Sequence, residues 1–274
     1  MLQLSEAIGV MLPVLYLSVT FIYGFIFFGE FRELELKTPV ILTVLLGIHG
    51  VELVLKGMTL GIVPFSTLLD AFSFWAFSLT AVYFFIELTV RVKSTGLFVL
   101  IPAFFLQLLS SLFYDWHHTP NPMLTNPIFM VHVIFTIIGY TAICVSSLYS
   151  LLYIMLNQNI KHHRFGRVYD KLPSLSTLER LGMRSVQVGI VLLGFGIILG
   201  HLRAGSLLDS YWPSDPKVWL TDMIWICYLL GYGIARLKNW RGRWMAYLSL
   251  FSFAGLVLIT VTVFFLLDSF HHFN

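Results

Sequence analysis

Eight apolar runs, each long enough to cross a bilayer and nearly free of charge, leave this chain one class of fold. They occupy residues 8–29, 39–62, 65–90, 95–114, 127–156, 182–202, 217–238 and 243–267. A helix needs about 20 apolar residues to span the hydrocarbon core, and in lipid each backbone polar group must be satisfied within its own segment. The expected fold is therefore all-α: a single polytopic membrane domain over 1–274 with eight transmembrane helices. Composition agrees, with 58% hydrophobic and 11% charged residues where soluble domains carry about 25% charged. Glu6 precedes the first run and no basic flank does, so that run reads as a retained span rather than a cleaved signal. Gly61 and Pro64 break the second run from the third. Cys144 and Cys227 lie inside apolar runs and read as small core hydrophobes.

Lysine and arginine orient the spans, because positively charged loops stay on the cytoplasmic side. Of the 17 Lys and Arg, fourteen fall at the loops after the odd-numbered spans, and only Lys56, Arg203 and Lys217 fall on the other side. Both termini are thus expected outside. The basic residues follow the loops and do not form a nucleic-acid surface. Within the longest inside loop, 157–181, the run Lys161-His162-His163-Arg164 reads as a solvated anchor beside anionic lipid.

No Gly-rich phosphate loop, Ser/His/Asp set or cysteine pair at metal spacing is present. The histidines are the feature to explain. His117, His118, His132, His201, His271 and His272 fall at or beyond the span ends expected to open outside. The loop between spans 6 and 7 adds Tyr211, Trp212 and Asp215. Two histidines from different helices can clamp one haem iron, and Tyr211 and Trp212 offer a flat apolar wall. Each such residue taken alone is equally an interface anchor. His49, with Glu52 one turn on, lies near the middle of span 2, where an ionisable group is costly. Its candidate roles are haem ligand, proton path or metal path, or a neutral imidazole bonded to a neighbouring helix. Glu87 and Asp222 read as interfacial.

Five segments carry a family resemblance. They are HVIFTIIGYTAICVSSLYSLLY from His132, LPSLSTLERLGMRSVQVGIVLLGFGIILG from Leu172, YWPSDPKVWLTDMIW from Tyr211, NWRGRW from Asn239 and LLDSFHHF from Leu266. Together they resemble the cytochrome c assembly family, of the CcsA, ResC and CcmC type. The likeness is best over 120–274, and PFSTLLDAFSFWA from Pro64 extends it weakly toward the N-terminus. In that family the third segment is a tryptophan-rich haem loop. Here Leu208 and Ser214 stand at two of its tryptophans, and Gly233 stands near an intramembrane histidine. The chain thus resembles a divergent, HemX-like or YpjD-like member.

The resemblance implies haem b as cofactor, with His132 and His271 as axial ligands of its iron. Trp212, Tyr211 and Asp215 would line the site, and His49 would be a further candidate for cofactor binding. It implies haem handling in c-type cytochrome assembly, on the periplasmic or extracellular face of a bacterial inner membrane. Apocytochrome c and a second membrane assembly subunit are the implied partners, and no catalytic set is visible. Two alternatives stay open: a HemX-like regulatory or scaffolding protein, and a transporter of metal or haem.

Overall fold

The computed structural model describes residues 1–60, 67–114, 127–208, 211–212 and 215–266. These fold into nine α-helices with no strand among the described residues: α1 (Leu2–Phe28), α2 (Arg32–Leu60), α3 (Leu68–Val90), α4 (Gly96–Phe113), α5 (Pro127–Lys161), α6 (Arg167–Lys171), α7 (Leu175–Leu208), α8 (Pro216–Leu237) and α9 (Arg243–Leu266). Eight are long and apolar enough to cross a membrane. Only the five-residue α6, inside the basic loop, is not. Large apolar side chains such as Phe21, Val44, Phe85 and Phe251 are exposed on their surfaces, as lipid-facing residues are.

Local chemistry sets several helix ends. Thr67 caps α3 in a reciprocal capping box. Its side chain accepts from the Asp70 N–H and its own N–H donates to the Asp70 carboxylate, both at 3.0 Å. Pro127 and Pro216 open α5 and α8, where a missing N–H costs nothing. Asp215 precedes Pro216, and its carbonyl accepts from the Val218 and Trp219 N–H groups.

The helices group into two compact units. Unit 1 contains α1, α2, α3, α4 and α6. Its core includes Leu12, Tyr16, Tyr23, Leu42, Leu79, Tyr83 and Leu100, all fully buried. Glu87 lies inside this core at 2% exposure, accepting hydrogen bonds from Tyr23 and, at 2.5 Å, from Thr38. The expectation that Glu87 is interfacial does not hold. Its place near a helix end is occupied by hydroxyls of α1 and α2 rather than by headgroups.

Unit 2 contains α5, α7, α8 and α9. The dominant pair is α5 with α7, running antiparallel. Lipid tails are as apolar as leucine, so close van der Waals packing must hold such a pair together. Glycines allow the approach. A Cβ at Gly139 would meet the Leu193 backbone nitrogen at 2.8 Å, and one at Gly189 would meet Ile143 Cγ1 at 2.6 Å. The core then extends through Val186, Ile190 and Leu193 to Ile224 and Tyr228 of α8 and Leu256 of α9. The Trp225 indole of α8 donates to the Ile190 carbonyl at 2.8 Å. The antiparallel order gathers the start of α5, the end of α7, the start of α8 and the end of α9 at one end of unit 2.

Candidate cofactor site

That end of unit 2 holds His132, His201, Tyr211, Trp212, Asp215 and Asp222. His132 lies on the second turn of α5, partly buried. Its Nδ1 is 2.7 Å from the Gly196 carbonyl oxygen on α7. A carbonyl can only accept, so Nδ1 carries a proton and donates it. Metal-ligating histidines are characteristically set this way, with one nitrogen donating to a backbone carbonyl and the other presented as ligand. The ring lies against α7 where Gly200 leaves room. A Cβ there would meet His132 Cε1 at 2.8 Å. Phe129, one turn earlier, stands 6.0 Å from the ring centroid.

His201 sits beside Gly200 on α7 but is committed differently. Its Nδ1 donates to the Tyr211 carbonyl at 2.7 Å, and its Nε2 faces the Asp222 carboxylate on α8 at 3.0 Å. One proton lies between Nε2 and that carboxylate, so neither ring nitrogen presents a lone pair. The pair is only 13% and 18% exposed. Asp222, expected at the interface, is therefore the counter-ion of His201. The Trp212 ring stands 5.1 Å from the His201 ring, and the Tyr211 ring lies close against Gly205. Tyr211 and Trp212 are nevertheless 59% and 62% exposed, presenting apolar surface outward at this end. Asp215 is buried and serves at the start of α8.

His49 belongs to unit 1 and is fully buried. Ser73 gives its proton to Gln107 Oε1 at 3.0 Å, so it accepts from His49 Nε2, also at 3.0 Å. His49 Nδ1 then accepts the Tyr16 hydroxyl proton at 2.9 Å. Gln107 donates on to Ser111, and Ser111 donates to the Gly9 carbonyl at 2.7 Å. One polarised chain thus links α1, α2, α3, α4 and α1 again through a neutral imidazole. Of the open roles for His49, this geometry matches the hydrogen-bonded imidazole, because ligation would break one of its two bonds.

His271, with His117, His118 and His272, lies outside the described residues. Among the described residues no group of three His, Cys, Asp or Glu side chains is placed to hold a metal ion. The His201–Asp222 pair and the His132–Gly196 bond escaped sequence reasoning because each joins separate helices. The only available signal was that His132 and His201 flank the same loop-bearing end.

Comparison with known proteins identifies the family. The chain is 26% identical to the cytochrome c biogenesis protein CcsA of Mesostigma viride, over 72% of this chain and 72% of that one. It is 26% identical to CcsA of Guillardia theta, over 85% and 81%, and 25% identical to the protein HemX of Brevibacillus brevis, over 79% and 80%. The family model described as cytochrome c assembly protein matches residues 65–271, which is most of the chain. This membrane protein belongs to the cytochrome c assembly protein family.

Proposed function

We propose that this protein binds haem b at the loop-bearing end of unit 2 and handles it in the assembly of c-type cytochromes. The observation that carries the reading is the His132–Gly196 hydrogen bond, which holds the imidazole in one orientation against α7 at the loop-bearing end. His271 is the proposed second axial ligand, supported by α9, which runs toward the same end. Tyr211 and Trp212 provide the apolar wall, and Asp215 fixes the start of α8 beside it. His201 and Asp222 hold the loop.

Haem, when bound, would supply a ligatable iron and a reactive porphyrin edge. The chain supplies orientation: one imidazole locked by α7 and a wall of aromatic surface. The thiols to which a c-type haem is joined would come from an apocytochrome, with a second membrane assembly subunit as the other proposed partner. The Lys and Arg bias supports a site on the non-cytoplasmic face, proposed as the periplasmic or extracellular side of a bacterial inner membrane.

Titrating the full chain in mild detergent with haem should give a saturable, low-spin bis-imidazole absorption spectrum. Failure to saturate under any reconstitution would remove the reading. It would favour the second one, a HemX-like protein with a regulatory or scaffolding role, which the match to HemX of Brevibacillus brevis supports.

A further inference from the structure

Three ionisable side chains lie buried together in unit 1. Lys56, Glu52 and Asp70 are 4%, 2% and 0% exposed. The Lys56 ammonium is 2.9 Å from Asp70 Oδ1, and its nitrogen stands 3.5 Å from the centre of the Tyr114 ring. Asp70 Oδ2 takes the Thr67 N–H. Lys56 and Asp70 therefore make a complete ion pair with a cation–π contact.

Glu52 is the weaker partner. Its Oε1 is 3.8 Å from the Lys56 nitrogen, at ion-pair distance but beyond hydrogen-bond reach, and its Oε2 has no hydrogen-bond partner. Among the described residues, two buried carboxylates share one ammonium. An uncompensated carboxylate there is among the costliest arrangements a protein can hold, and an ionisable group at membrane depth marks function by default.

A positive charge on Oε2 resolves the imbalance. A hard metal cation needs six or more oxygen ligands, whereas no three-residue metal group occurs among the described residues. A proton needs one oxygen. We propose that Glu52 is a reversible proton-binding site in the membrane-embedded core of unit 1, holding its proton as a neutral carboxylic acid while Lys56 pairs with Asp70.

Among the described residues, the charged groups beside it are Lys56 from α2 and Asp70 from α3. His49 is one turn away on the same helix face, but both of its nitrogens are engaged. Proton exchange at Glu52 is thus separate from the His49 chain. Loss of the proton would draw Lys56, already 3.8 Å from Glu52, away from Asp70. Asp70 is also the N3 residue of the capping box that starts α3, so the protonation state of Glu52 bears on how firmly that helix start is held.

The test is infrared spectroscopy of the full chain in lipid at neutral pH, comparing wild type with Glu52→Gln and Glu52→Met. The wild type should show a protonated carboxyl C=O band that shifts in D₂O and is missing from both variants, which should melt at or above the wild-type temperature. Three results would overturn the proposal: wild type with no such band, stabilisation by sodium, potassium or magnesium that both variants lose, or two neutral replacements that both fail to fold. The band is read without haem, so it stands or falls apart from the haem reading.

Discussion

The Gly196 carbonyl on α7 fixes the His132 ring on α5 across 2.7 Å. The bond ties the second turn of α5 to the helix it packs against most closely, at the loop-bearing end of unit 2. The aim of the ring is therefore set by the helices rather than by a loop.

Gly200→Ala should separate site geometry from stability. The new Cβ meets only the His132 ring, at 2.8 Å, which can swing aside at the cost of its hydrogen bond. Haem affinity should fall about 10- to 100-fold, as for lost second-shell contacts, with little change in melting temperature. Gly139→Ala is the contrast. Its Cβ meets backbone at 2.8 Å, and overpacking should destabilise unit 2 by about 1–3 kcal/mol. Haem titration beside thermal melts reads both, and equal effects of the two variants would refute the distinction.

His201 and Asp222 should behave as one unit. Each single change to alanine removes the same ion pair, and the site is partly exposed, so each should cost about 1 kcal/mol. A double variant should cost scarcely more than either single one. Additive losses in denaturant titrations would show that the pair does not couple.

His49→Ala should destabilise the fold and spare the haem. It deletes the link between Tyr16 and Ser73 and leaves two buried hydroxyls without it, at about 1–3 kcal/mol for each unsatisfied group. The haem spectrum should be unchanged, because no residue of the proposed site belongs to unit 1. Loss of the spectrum with the fold intact would return His49 to the ligand set.

Topology is testable with reporters fused after Asn274. The excess of Lys and Arg after odd-numbered spans makes translocation of those loops unfavourable. A reporter active only outside the cytoplasm should work there, and one active only inside should not.

All eight spans were legible in the sequence because lipid demands a long uncharged run from each. Their ends were less so. The run at 182–202 sits inside a helix that reaches from Leu175 to Leu208, since polar residues continue a helix once its backbone bonds are made. The five-residue α6 carries no apolar signal at all. His132 was legible through the resemblance, but its bond to Gly196 was not, being 64 positions away in sequence. Asp222 and Glu87 looked interfacial because depth along a helix was visible and the facing helix was not. The facing residues, His201 for one and Tyr23 with Thr38 for the other, decide both cases.

The central claim is that His132 Nε2 ligates haem iron, and the most direct measurement is the absorption spectrum of His132→Ala with and without free imidazole. The bis-imidazole spectrum of the wild type should vanish in the variant and return when imidazole fills the vacated position. His118→Ala, a loop change, should leave the spectrum nearly intact. An unaltered spectrum in His132→Ala, or the same loss in both variants, would contradict the account.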